Sequence, residues 1–266
     1  GISVIYKRDP QATIAMLTAD HHIGKKDVFR SVLESAYEIA QQDHIVTLGI
    51  SPSYPATGFG YIRQGKTPKT SNEFTYYDAI QFTEKPDALT ATQFLTSGEY
   101  SWNSGMFIWK ASTALQEFER QQPITYALLE KIMAVVDKPE FSSTLLSLWD
   151  EMPKISIDYA IMEKAKAMSV IPVDIGWSDV GSWASMFEVM ALDENGNGYR
   201  GDISNRIMVD THKSFILSER MTVTIGVTDL VIVETPDVLF ICHRDRAQDV
   251  KEVVKNLQEM GLSHYL

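Results

Sequence analysis

Four short segments carry side chains whose types and placement could do chemistry. Asp20 sits in Thr18-Ala19-Asp20-His21-His22, directly after an apolar run over residues 13–17. That run reads as a buried strand delivering an acid at its C-terminal end. Open α/β sheets bind ligands at the carboxyl ends of their strands, and a carboxylate there can hold Mg²⁺ through hard oxygen contacts. Asp179, in Gly176-Trp177-Ser178-Asp179-Val180-Gly181-Ser182-Trp183, repeats the order of apolar strand, aspartate and helix. For each aspartate, N-capping of the following helix is the competing reading. Two carboxylates and a substrate phosphate commonly share a Mg²⁺ in phosphoryl chemistry. Here only the fold could bring the two acids together.

The third segment is Glu84-Lys85-Pro86, where Pro86 stops a strand and stiffens the turn. A lysine held there is a point charge for phosphate, and the adjacent glutamate can accept from sugar hydroxyls. The alternative is a solvated Glu-Lys pair in a turn. The fourth is Trp102-Asn103-Ser104-Gly105. Asparagine offers donors and an acceptor, which suits sugars, and Gly105 permits close backbone approach. The alternative is a plain turn before a strand over residues 105–109.

Other features carry less. Gly58-Phe59-Gly60 is too short for a dinucleotide fingerprint, and His21 and His22 lack a second metal-ligand pair at zinc spacing. No Gly-x-Ser-x-Gly elbow is present. Cys242 lies in an apolar run and reads as a small buried hydrophobe. One cysteine cannot form an internal disulfide, so a reducing, cytoplasmic setting is expected.

The elements that must position these residues follow from periodicity. Residues 13–17 and 45–50 read as strands around a helix. In that helix Val28, Val32 and Ala36 line one track, with Phe29, Leu33, Tyr37 and Ala40 beside it. This βαβ order argues for a parallel, doubly wound sheet. Residues 58–62, 79–83 and 170–175 read as further strands, residues 111–167 as mainly helical with breaks at Pro123 and Pro153, and 183–190 as a short helix. A turn-rich linker, Asp193-Glu194-Asn195-Gly196-Asn197-Gly198, separates a catalytic region over 1–195 from a β-rich appendage over 196–266. The appendage shows closely spaced β runs, expected to form a helical β-coil, then an amphipathic helix capped by Gly261. No internal repeat is evident.

The chain has 266 residues, 44% hydrophobic and 22% charged, with net charge -11. That acidity and its short, mixed basic runs speak against nucleic acid and anionic membranes. No apolar run approaches the ~20 residues of a membrane helix.

Taken in order, Leu17-Thr18-Ala19-Asp20-His21, Thr57-Gly58-Phe59-Gly60-Tyr61-Ile62, Phe82-Thr83-Glu84-Lys85-Pro86, Trp102-Asn103-Ser104-Gly105-Met106-Phe107, Ser156-Ile157-Asp158-Tyr159-Ala160 and the segment 176–183 resemble the bacterial-type mannose-1-phosphate guanylyltransferases, sugar-1-phosphate nucleotidyltransferases. The segment 243–250 resembles that family's closing stretch. The resemblance implies a Rossmann-like, glycosyltransferase-A-like mixed sheet with helices on both faces, and a left-handed β-helix-like tail. It implies Mg²⁺ on Asp20 and Asp179, Glu84 reading sugar hydroxyls and Lys85 neutralising the sugar phosphate. Asn103, Gly60 and Gly105 are further substrate contacts, with Asp20, Lys85 and Asp179 serving catalysis. The implied reaction joins mannose 1-phosphate and GTP into GDP-mannose and pyrophosphate, in polysaccharide biosynthesis.

The family's glycine-rich phosphate loop has no counterpart here. Ile2, Ile5 and Tyr6 suggest a start inside a helix, so an absent N-terminal part is expected to supply that loop, and the chain alone to be inactive. A homodimer through the tail is a further expectation. The alternatives are another sugar-1-phosphate nucleotidyltransferase, or a noncatalytic sugar-phosphate-binding or regulatory protein.

Overall fold

A computed structural model describes residues 1–266 apart from Ala184, Ile203 and Leu266, and apart from the side chain of Glu188. The chain separates into two compact units, residues 1–19 with 25–177, and residues 20–24 with 178–266.

The first unit opens with α1 (Ile2–Arg8), β1 (Thr13–Met16) and, after the excursion through β2 (His22–Ile23), α2 (Lys26–Ala40) and β3 (Ile45–Ile50). There follow β4 (Tyr61–Gln64), β5 (Lys69–Ser71), β6 (Phe74–Thr83), α3 (Ala88–Ser97) and the long β7 (Tyr100–Lys110). The helical stretch is α4 (Ala111–Gln121), α5 (Pro123–Val135), α6 (Phe141–Trp149) and α7 (Ile157–Ala160). Pro123 occupies the first turn of α5, where its missing N–H costs nothing. Then come β8 (Met168–Pro172) and β9 (Trp177–Ser178), at which the chain leaves this unit.

The sheet runs in the order β1-β7-β3-β8-β6-β4, with β5 paired to β6. Within this sheet, among the described residues, only β3 and β8 pair in parallel; β7 is antiparallel to both β1 and β3. The expected parallel sheet is therefore mixed. β1 and β3 do share a direction, as a βαβ unit requires, but β7 inserts between them. β1 becomes an edge strand with no fully buried residue, which corrects its reading as a buried strand.

The core follows from the pleat. Ile45, Ile62, Phe82, Phe107, Trp109 and Val170 form one buried cluster with Ile161 and Met162. A second cluster joins Tyr61, Ala91 and Trp102, with Phe59 and Trp177 packed against it. Helix α2 buries Val32, Ala36, Ile39 and Ala40, whereas Val28 and Tyr37 lie outside that stripe.

The second unit carries α8 (Met186–Val189), shorter than the helix expected over 183–190, where Ala184 lies outside the described residues. After it the chain alternates between two walls through β10 (Gly198–Arg200), β11 (Arg206–His212), β12 (Phe215–Leu217), β13 (Thr222–Thr228) and β14 (Leu230–Glu234). One wall is β10, β12 and β14 in parallel, closed by antiparallel β15 (Leu239–His243); the other is the parallel pair β11 and β13. This is a β-coil, and its coils repeat in space although the sequence shows no repeat. Phe215, Val231 and Val233 fill it, with Cys242 only partly buried against them. Helix α9 (Val250–Glu259) follows, and Gly261, at φ 73, closes it: its N–H donates to Gln258 and that of Leu262 to Leu257. Among the described residues no helix is long and apolar enough to cross a membrane.

Candidate active site

Glu84 and Lys85 sit just beyond β6. Glu84 is not a solvated turn residue, because its side chain is only 5% exposed. Lys85 is half-exposed and reaches back to Glu84 Oε1 at 2.5 Å. The backbone is arranged to achieve this: Lys85 has φ 47, and its N–H donates to the Phe59 carbonyl. The Glu84 N–H donates to Glu163 Oε1 at 3.2 Å. Burial pushes the Glu84 carboxyl up; the hydrogen bond from Lys85 opposes this, while the charges of Asp158 and Glu163 add to it. Lys85 is held above the usual lysine range, chiefly by its bond to Glu84.

Gly60 and Asn103 complete this pocket. The Asn103 N–H donates to the Gly60 carbonyl at 2.8 Å. A Cβ at Gly60 would lie 2.5 Å from Glu84 Oε2 and 3.3 Å from both Asn103 Cβ and Phe82. Glycine leaves room there for the Glu84 carboxylate. Asn103 is not in a turn. It lies inside β7, buried, where the pairing with β3 shifts register between Thr47 and Gly49. Gly105, at φ 73, absorbs the irregularity and donates its N–H to Asn103 Oδ1 at 3.1 Å. Sequence reasoning assigned no role by residue chemistry to Asp158 or Glu163. Asp158 lay within a quoted motif, but nothing local shows that α7 delivers it to Asn103, whose Nδ2 donates to Asp158 Oδ1 at 3.1 Å.

The aspartates belong to the second unit. The segments carrying Asp20 and Asp179 are sequence-distant yet fall in the same unit. Their flanks in the first unit are clipped together: the Lys25 N–H donates to the Ile175 carbonyl at 2.9 Å, and the Lys25 ammonium pairs with Asp174. That pair and the Gly176 N–H hold the Asp174 carboxyl below its ordinary value.

Neither aspartate caps a helix. Helix α2 starts after Lys25 and α8 after Ser185, both without a side-chain cap. Asp20 is exposed and Asp179 half-exposed. Val180, beside Asp179, has φ 48, a left-handed conformation that a β-branched residue adopts only at a cost of about 1–3 kcal/mol. Asp179 Oδ2 lies 2.5 Å from the position a Cβ of Gly181 would take. Among the described residues no three His, Cys, Asp or Glu side chains form a metal cage. Two hard carboxylates leave coordination positions for phosphate oxygens, which suits a cation shared with substrate.

The mixed sheet and the half-buried Glu-Lys pocket beside it define an α/β protein. Residues 2–196 match the nucleotidyl transferase family, and the chain belongs to it. Members of that family generally use a divalent metal. Residues 204–257 match the MannoseP isomerase/GMP-like beta-helix domain.

Among relatives, a mannose-1-phosphate guanylyltransferase of Escherichia coli is 39% identical over 248 residues, 92% of this chain and 51% of that protein. Xanthan biosynthesis protein XanB of Xanthomonas campestris is 38% identical over 260 residues, 94% of this chain and 52% of that protein. The chain thus spans about half the length of the curated relatives it matches. The crystal structure of a mannose-1-phosphate geranyltransferase from Thermus thermophilus superposes with a TM-score of 0.83 at 31% identity, covering 96% of this chain and 72% of that one.

Proposed function

We propose that this chain is the sugar-phosphate- and metal-binding part of a mannose-1-phosphate guanylyltransferase. The observation that carries the reading is the Glu84–Lys85 pair, buried at one end and exposed at the other. Lys85 presents a cation to the sugar phosphate, and Glu84 accepts from a sugar hydroxyl. Gly60 and Gly105 give the sugar close access to backbone, and Asn103 lines the pocket.

In the reaction, an oxygen of mannose 1-phosphate attacks the α-phosphorus of GTP. The new P–O bond forms as the α–β bridge breaks, and pyrophosphate leaves with the bonding electrons. The chain's own part is positioning and charge compensation, not covalent catalysis. Asp20 and Asp179 would hold Mg²⁺, which when bound neutralises charge gathering on the phosphates. The guanylyltransferase relatives support the choice of mannose and guanine, and the lone Cys242 accords with a cytoplasmic setting.

The test is pyrophosphate release by the full-length protein from GTP, mannose 1-phosphate and Mg²⁺, with and without EDTA. Metal-dependent release is expected. Turnover with a different hexose 1-phosphate and none with mannose 1-phosphate would refute the sugar assignment.

A further inference from the structure

Asn103 has little left to offer a sugar. Its Oδ1 accepts from the Thr47 hydroxyl at 3.2 Å and from the Gly105 N–H at 3.1 Å, which engages both lone pairs. Its Nδ2 donates to Asp158 Oδ1 at 3.1 Å. Asn103 is 8% exposed, so a ligand could receive from it one N–H and no acceptor. A sugar hydroxyl that donates must find its acceptor elsewhere. Asp158 opens the first turn of α7, partly exposed, and its Oδ2 has no hydrogen bond among the described residues. It lies near enough to Glu84 and Lys85 for its charge to act on both. Two carboxylates within reach of each other's charge repel unless cations or hydrogen-bond donors compensate them. Lys85 supplies the cation, and a polyhydroxylated ligand would supply the donors.

We propose that Asp158 is a second hydroxyl acceptor of the sugar pocket beside Glu84, and that Asn103 and Thr47 are positioning residues that aim its carboxylate. This rests on the sugar-phosphate reading of Glu84 and Lys85. It sharpens the substrate class to hexose 1-phosphates that present two hydroxyls to two separate carboxylates. The buried chain from the Thr47 hydroxyl through the Asn103 amide to Asp158 fixes the amide orientation, since a flipped Asn103 would set its oxygen against a carboxylate.

The experiment measures steady-state kinetics of the full-length enzyme with mannose 1-phosphate and with its monodeoxy analogues, each lacking one ring hydroxyl. Asp158→Ala should raise KM for mannose 1-phosphate by roughly tenfold to a hundredfold, the worth of a charged hydrogen bond. KM for GTP should stay within about twofold. On one analogue, that lacking the hydroxyl held by Asp158, wild type and variant should coincide. Asn103→Ala should weaken the same discrimination, and Asp158→Asn should restore part of it. A penalty from Asp158→Ala that is equal on every analogue, or equal for both substrates, would overturn the assignment. Should Asp158→Ala melt below assay temperature, Asp158→Asn against the analogue series decides alone. Glu84→Gln and Lys85→Ala separate the two levels. If they raise the sugar-phosphate KM and Asp158 variants do not, only this inference fails. If neither raises it, the pocket reading fails as well.

Discussion

Two carboxylates in this chain lean over glycines, and the company each keeps differs. Glu84 lies against Gly60 inside a braced pocket, where Asn103 of β7 and Phe82 of β6 also crowd Gly60 and Glu163, in the turn after α7, accepts from the Glu84 N–H. Asp179 lies against Gly181 in a turn, where a Cβ would meet only atoms of Asp179 itself. Both places keep a non-glycine residue in the left-handed region, Lys85 at φ 47 and Val180 at φ 48. The first region adds long-range packing to that backbone strain. The second adds only the local turn. In the proposed reading, the Glu84 pocket that receives the sugar needs fixed walls, whereas Asp179, sharing a cation with the substrate, needs a set direction and room for the phosphate.

The largest effect expected is at the strained turn. Asp179→Asn should lower kcat of the full-length enzyme by roughly a thousandfold with an unchanged melting temperature. A fully active Asp179→Asn enzyme would remove that residue from the metal site.

The two glycines test the comparison directly. Gly60→Ala places a methyl group against three residues that cannot all yield. It should lower the melting temperature, by about 1–3 kcal/mol of overpacking, and raise KM for the sugar phosphate roughly tenfold or more. Gly181→Ala meets only the Asp179 carboxylate, which can rotate away. Stability should hold within about 1 kcal/mol while the concentration of Mg²⁺ needed for half-maximal rate rises. Equal loss of stability in both variants would erase the distinction drawn here.

The smallest effect concerns pH. Burial raises the Glu84 carboxyl, so between its ordinary value and the raised one the folded protein binds more protons than the unfolded chain. Its contribution to stability therefore falls as pH rises through that window, and the cost is fully present above it. Glu84→Gln should flatten this part of the melting temperature against pH profile, and stability at neutral pH should not drop. In the same range wild-type affinity for the sugar phosphate should improve with pH, as the acceptor ionises. A Glu84→Gln protein whose affinity keeps that pH dependence would assign it to another group.

Much of the fold was legible. The helix of α2, the break at Pro123, the Gly261 cap and the β-coil character of the tail all rest on local rules, so periodicity and turn chemistry found them. Sheet direction was not, because strand order depends on which strand inserts where. Nothing within residues 13–50 announces that β7, some fifty residues later in the chain, will lie between β1 and β3 in antiparallel sense. The strand pairings within the second unit's coil were not legible either, since a wall of parallel strands needs apolar residues facing inward but no recurring sequence.

The sequence by itself determined which side chains are of the types that phosphate, hydroxyl and metal demand: Asp20, Glu84, Lys85, Asn103 and Asp179. Only the tertiary structure decided how they are used. It gathered the two aspartate segments into one unit, buried Glu84 while leaving Lys85 half-exposed, and set Asn103 inside a strand with its amide oxygen already engaged. Residue type fixes what a group can donate or accept. Its solvation and its existing partners, which decide what remains for a ligand, are properties of the packed chain.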